Sequence, residues 1–156
     1  MALFFRSAEV DDVHQLNDLT GRSALHWGYE PEFLEWEPQS ITVTAASILE
    51  DQMMVAELDG VAIGYYGLRG TPDDLSLDKL FVEPTHIGTG VGKELWNHAM
   101  ATCRCLGATG ISFYSDPNAA GFYRAMGATW IREVETSRPG WNLQVFSYRL
   151  SPESPE

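Results

Sequence analysis

The sequence predicts an α/β (α+β) fold: a single mixed, mostly antiparallel sheet with helices on both faces. Three observations carry this. Two apolar runs, 53–58 and 61–68, flank Asp59-Gly60, a type I′ turn dipeptide, and so form a hairpin. A strand, a glycine-rich turn and a helix start follow one another between Phe81 and Leu95. The elements run helices first, then antiparallel strands, then β-α-β-α-β-β, an order that layers helices on both faces of one sheet.

Taken in order, residues 4–6 form a short first strand, and Ser7 is placed to cap a helix with Glu9, Asp11 and Asp12 in its first turn. Val10, Val13, Leu16 and Leu19 recur at helical spacing, and Gly21 loosens that helix. Trp27-Gly28-Tyr29-Glu30-Pro31 marks a loop before a short helical piece at 32–36, which Pro38 ends. Segment 40–50 is ambiguous: Ile41-Thr42-Val43 favours strand, whereas Thr44 caps a helix through Leu49, and helix is preferred. After the hairpin, a polar loop at 70–74 leads to a third run, 75–82, stopped by Pro84. From Gly90 the period becomes helical, with Val91, Leu95, Ala99, Thr102 and Leu106 on one face and Gly107 at the C-terminal position. Residues 109–113 read as a strand and 119–126 as a short helix closed by Gly127. Two final strands, 129–135 and 144–150, flank the turn at Pro139-Gly140. Residues 1–150 thus make one domain without repeat or linker, and 151–156, a Ser/Pro/Glu tail, are expected to be mobile.

Composition narrows the function. The 156 residues, 44% hydrophobic and 21% charged, suffice for one core, and a chain of this size buries about 70% of its unfolded surface. A formal charge of −12 repels nucleic acid and anionic lipid, so neither is an expected partner. The first residues are too poor in apolar side chains for a signal peptide, and no run reaches the roughly 18 apolar residues of a membrane span. A soluble, cytoplasmic protein is expected. Cys103 and Cys105 stand two apart in a helical stretch and point to different sides, as packing residues and not a disulfide. His14, His26, His86 and His98 fall in no zinc spacing, so no metal is expected. No GxSxG elbow is present.

The most informative stretch is Phe81-Val82-Glu83-Pro84-Thr85-His86-Ile87-Gly88-Thr89-Gly90-Val91-Gly92-Lys93-Glu94-Leu95. A glycine turn leading into a helix presents successive backbone N–H groups beside the positive end of the helix dipole, and so can hold a phosphate or pyrophosphate. It can equally be no more than a tight turn. A P-loop would place glycine where Ile87 stands and Ser or Thr where Glu94 stands. The dinucleotide fingerprint GxGxxG would require glycine at Lys93. Neither ATP nor NAD is favoured.

Together with its flanks, this stretch resembles the GNAT superfamily of acyl-CoA-dependent N-acetyltransferases. The family's pyrophosphate loop, Arg/Gln-x-x-Gly-x-Gly/Ala, matches Ile87-Gly88-Thr89-Gly90-Val91-Gly92 with Ile87 in place of Arg or Gln. Its later motif, Asn-x-x-Ala leading to aromatic-Tyr-x-x-x-Gly-aromatic, is similar to Asn118-Ala119-Ala120-Gly121-Phe122-Tyr123-Arg124-Ala125-Met126-Gly127-Ala128. There Gly121 takes the usual Ala position and Ala128 the usual aromatic. By element order the resemblance covers nearly the whole chain.

The resemblance implies a GNAT-type acyl-CoA N-acyltransferase fold, acetyl-CoA as cofactor and a small-molecule or peptide amine as substrate. The pantetheine arm would lie between the strands 75–82 and 109–113. Leu80, Phe81 and Val82 would supply main-chain bonds, and Ile87, Gly88, Thr89, Gly90, Val91, Gly92 and Lys93 would wrap the pyrophosphate. Lys93 either adds charge there or is a solvated helix lysine. An alkylamine near pKa 10.4 is neutral only about once in a few thousand molecules at pH 7, so a base or a water relay is useful. Asp78 is the first candidate base; it competes with Glu83, and with a simple pairing to Lys79. Tyr123 matches the family's general acid, its alternative being a packed aromatic. Asn118 either bonds the pantetheine arm or shapes the turn after Asp116-Pro117. The first interhelical loop and the C-terminal hairpin would frame the amine, with Trp27, Tyr29 and Trp141 facing the cation, unless the two tryptophans cover core or a dimer seam. A homodimer is expected from the resemblance.

Two function classes compete: an enzyme moving an acetyl group from acetyl-CoA to a primary amine by direct attack in a ternary complex, and a non-catalytic acyl-CoA-binding sensor or scaffold on the same fold. The unusual Ile87 and the unsettled base keep the second open.

Overall fold

The computed structural model describes residues 2–28, 42–136 and 138–150. The loop and helical piece expected at 29–38, together with Tyr29 and the tail 151–156, lie outside the described residues. Seven strands, β1 (Phe4–Ser7), β2 (Gln52–Leu58), β3 (Val61–Thr71), β4 (Asp74–Val82), β5 (Gly110–Ser115), β6 (Thr129–Val134) and β7 (Leu143–Arg149), form one sheet. Their order is β1-β2-β3-β4-β5-β7-β6. Only β4 and β5 pair in parallel; every other neighbour is antiparallel. Helices α1 (Val13–His26) and α2 (Ala45–Glu50) cover one face, and α3 (Val91–Cys105) and α4 (Ala120–Ala125) the other.

The period of two in the strands divides the core between these faces. Val55 and Tyr65 pack with Leu16 and Leu19 of α1, whereas Ala56 and Tyr66 join Leu95, Ala99, Phe113 and Phe146 on the α3 side. The neighbouring tyrosines show the split: Tyr65 OH pairs with Thr20 of α1, and Tyr66 OH lies 2.7 Å from His98 Nδ1 and 2.8 Å from Thr102 Oγ1 of α3.

Asp59 (φ 52°) and Gly60 (φ 81°) make the hairpin turn, with both central residues at positive φ as a type I′ turn requires. Thr44 caps α2, its Oγ1 accepting the Ser47 N–H at 3.0 Å, so Ala45–Glu50 is helix, while residues 40 and 41 of that segment lie outside the described residues.

Four local expectations are corrected. Ser7 belongs to β1 and does not cap α1. The chain first makes a 3₁₀ turn, Val10–Asp12, with the Glu9 N–H donating to Asp12 Oδ2 at 2.7 Å. Val10 is left 45% exposed, because that turn rotates it off the helical face. Residues 70–74 are not a loop: Gly70 pairs with Leu75 and Thr71 with Asp74, leaving a two-residue connection. Gly70 makes this possible with φ 109°, where a Cβ would stand 2.2 Å from the Asp74 carbonyl oxygen. On α3 the buried stripe is Val91, Leu95, Trp96, Ala99, Met100 and Cys103. Thr102 and Leu106 are only half-buried, since the helix settles with Trp96 on Phe113 and Tyr148. Cys103 is a packing residue, its thiol pushed up to about 11 by burial, while Cys105 is exposed.

Candidate active site

Strands β4 and β5 pair at two positions only, Leu75 with Ile111 and Ser76 with Ser112. Beyond them β4 stays with β3, pairing as far as Gly64 with Val82, and β5 stays with β7, as far as Ser115 with Gln144. The two strands therefore diverge into a wedge. A bulge starts the divergence: Gly67 opposes Lys79 and Leu68 opposes Leu77, so Asp78 is the extra residue of β4. Past the bulge, Glu83 N–H donates to Ile63 C=O at 2.8 Å. By strand alternation the main-chain groups of Leu80 and Val82 then face the wedge, whereas those of Phe81 face β3. The wedge presents an unpaired edge to which an extended, amide-bearing ligand can add as a strand.

At the wide end of that edge a 3₁₀ turn, Pro84–His86, leads into the glycine turn. Gly88 (φ 86°) and Gly90 (φ 95°) are left-handed, with open space where a Cβ would stand, so conformation and not crowding calls for glycine at both. Glu94 N–H bonds Gly90 C=O at 3.1 Å; the amides of Val91, Gly92 and Lys93 before it have no intrahelical acceptor. These donors, at the positive end of a 15-residue helix, form an anion site. Ile87 is half-buried and packs against the core, Thr89 Oγ1 donates back to His86 C=O at 2.5 Å, and Lys93 stands exposed on the first turn.

Tyr123, on α4, packs against Phe113 of β5 with ring centroids 4.7 Å apart and against Trp96 at 5.9 Å. It is 8% exposed, and burial, with the nearby Asp116 charge, holds its phenol well above the ordinary value. Asp116 closes β5, its Oδ1 accepting the N–H groups of Asn118 and Ala119 at 2.9 Å each. Burial raises its carboxyl, these bonds opposing the shift. The Asn118 side chain donates through Nδ2 to Trp27 C=O, which ties the β5–α4 turn to the end of α1.

On the α1 face of the wedge, the Asp78 carboxylate contacts the Lys79 ammonium and lies 3.5 Å from Arg69 Nη2. Arg69 in turn reaches Asp51 at 3.1 Å. Lys79 is only 4% exposed, a buried cation satisfied by its neighbour through the bulge. The other carboxylate, Glu83, is bound bidentately by Arg22, with both contacts at 2.8 Å, which raises the guanidinium. Trp27 is half-buried at the end of α1. Trp141 is 6% exposed, and the Arg138 guanidinium lies 4.8 Å from its ring centroid. The structure thus sets the glycine turn at the end of the β4 edge on which Leu80 and Val82 face the wedge, with Asp78 at the bulge where the wedge begins and Tyr123 packed on Phe113 of β5. The pairing of Asp78 with Lys79, the alternative to a catalytic Asp78, is present; sequence reasoning did not anticipate the burial of Lys79, the exposed Tyr114 of β5 or the buried Ser23 of α1. A lysine inside the apolar run 75–82 was the one available signal. Among the described residues no cluster of three or more His, Cys, Asp or Glu side chains suits a metal, and no helix is long and apolar enough to cross a membrane.

The acetyltransferase (GNAT) family model matches residues 12–128, and the chain belongs to that family. It is by family an acetyltransferase, and acetyl-CoA is the acyl donor of that class. Among solved structures it is similar to a GCN5-related N-acetyltransferase from Rhodopseudomonas palustris, at 22% identity and TM-score 0.80 over 96% of this chain and 97% of that one. It is also similar to the PaiA N-acetyltransferase from Thermoplasma acidophilum in complex with coenzyme A, at 19% identity and TM-score 0.72 over 95% and 100%. A third is yncA of Salmonella typhimurium, a putative acetyltransferase solved with acetyl-CoA, at 18% identity and TM-score 0.69 over 100% and 98%. No curated protein matches significantly.

Proposed function

We propose that the protein moves an acetyl group from acetyl-CoA to a primary amine by direct attack in a ternary complex, with residues 1–150 as the catalytic domain of a cytoplasmic homodimer. The observation that carries this is the continuity of an unpaired β4 edge with a glycine turn at a helix N-terminus. An arm bearing amides and a pyrophosphate fits both at once. When bound, acetyl-CoA supplies a thioester carbonyl open to attack. The main-chain groups of Leu80 and Val82 hold its arm, and the amides of Val91, Gly92 and Lys93 hold its phosphates. As the carbon–nitrogen bond forms and the carbon–sulfur bond breaks, the amine proton leaves towards Asp78, directly or through water. The Tyr123 hydroxyl donates to the departing sulfur. Trp27 and Trp141 border the acceptor side, and Asn118 keeps that border closed on the β5–α4 turn.

The test is release of free CoA thiol from acetyl-CoA across a panel of amines, with Tyr123→Phe and Asp78→Asn beside the parent protein. Amine-dependent release that falls in both variants supports the reading. Acetyl-CoA binding without release from any amine overturns it in favour of the sensor reading, which draws on the engagement of Asp78 by Lys79 and Arg69.

A further inference from the structure

Ser23 lies on the buried face of α1, fully enclosed, and its hydroxyl has no hydrogen-bond partner. Buried hydroxyls are nearly always satisfied, and one left unpaired opposes folding. Alanine would fill the same place in a helix better, with higher helix propensity and no polar atom to desolvate.

The position of this hydroxyl can be triangulated from its neighbours on α1. Thr20, one turn earlier on the same face, is bonded to Tyr65 of β3. Arg22 grips Glu83, the residue just past β4. Trp27, one turn later, is bonded through its carbonyl to Asn118, beyond the end of β5. Residues 20–27 of this segment therefore cross from β3, over the end of β4, to the far side of the wedge. Ser23, next to Arg22 on this path, therefore stands where α1 passes the end of β4, beside the wedge that the main-chain groups of Leu80 and Val82 face.

We propose that Ser23 is a cofactor-binding residue, its hydroxyl reserved for an amide of the pantetheine arm as that arm passes under α1. This rests on the acetyl-CoA reading above and adds to it a contact from the opposite layer of the fold. The arm's amides carry both a donor and an acceptor, and a hydroxyl can meet either.

The test compares Ser23→Ala with the parent in three measurements: calorimetric affinity for acetyl-CoA, affinity for adenosine 3′,5′-bisphosphate, which lacks the arm, and the thermal midpoint without ligand. The expected result is an acetyl-CoA affinity lowered about five- to tenfold, an unchanged bisphosphate affinity, and a midpoint equal to or above the parent's. Ser23→Cys, which keeps the size and a weak donor, should fall between. Unchanged acetyl-CoA affinity overturns the proposal, as does an equal loss for both ligands or a midpoint lowered in step with affinity, since each marks a packing role. A parent protein that binds no acetyl-CoA refutes the acetyl-CoA reading itself.

Discussion

Tyr123 sits among Phe113, Trp96, Phe122 and Phe146, and that apolar enclosure makes its ionised form costly. With its phenol raised above the ordinary value, the proton stays in place throughout the range in which amines become neutral. Tyr123→Phe should therefore lower kcat by about 10²-fold or more while leaving acetyl-CoA affinity within about threefold, because the ring keeps its packing. In the parent enzyme kcat/KM should climb with pH as the amine deprotonates and show no alkaline fall below about pH 10. An alkaline limb near pH 8 that vanishes in the Phe variant would show that burial does not hold this proton. The helix that carries Tyr123 was legible in the sequence because its motif is contiguous and closed by Gly127. The pairing of Lys79 with Asp78 was legible as well, but the burial of Lys79 was not, because it depends on a bulge in β4 and no local pattern announces a bulge.

At the scale of elements, α1 matters as the roof of the wedge, and its start is fixed by charge. Arg6 of β1 meets Asp12 in a two-point contact at 2.7 and 2.8 Å, and this holds the Asp12 carboxyl down at about 2, against 3.8 for a free one. A carboxyl depressed by folding stabilises above its unfolded value, and loses that contribution as pH falls from 3.8 towards about 2. Asp12→Asn should cost about 2 kcal/mol at pH 7 and progressively less in urea titrations at lower pH, the two proteins converging near about pH 2. A constant difference across that range would locate the effect elsewhere. The start of α3 makes a different demand: Gly90→Ala forces a Cβ into the left-handed region, at about 1 kcal/mol. It should weaken acetyl-CoA binding more than it lowers the thermal midpoint would suggest, because it re-aims the first amides of the helix. The sequence made most elements legible through period and punctuation: the Asp59-Gly60 turn, the α3 start and the Thr44 cap all appear where those signals stand. It failed at 70–74, where turn-forming residues sit inside continuing strands, and at Ser7, where a tertiary ion pair between Arg6 and Asp12 decides the start of α1. The wedge itself depends on which strands pair across the sheet, and that placement came from family resemblance, not from any local pattern.

The whole molecule carries a formal charge of −12, yet the reading above has it bind a polyanion and a cation together. Where a phosphate site usually gathers basic side chains, this one has Ile87 half-buried against the core and Lys93 beside Glu94, so its side chains sum to no net charge. The pyrophosphate would then be held by backbone N–H dipoles, which act at contact range, against a repulsive field that acts over the Debye length, about 10 Å at 0.1 M salt. Salt screens the second far more than the first. Raising ionic strength from about 0.02 to about 0.2 M should therefore speed acetyl-CoA association, measured by stopped flow, and leave its affinity level or improved. Over the same range kcat/KM for a polycationic amine should fall severalfold, since the acidic field that draws it in is lost, while a zwitterionic amine should change little. The two substrates of one reaction would thus respond to salt with opposite sign. A steep loss of acetyl-CoA affinity with salt would mean that cationic side chains, and not the first turn of α3, carry the phosphates.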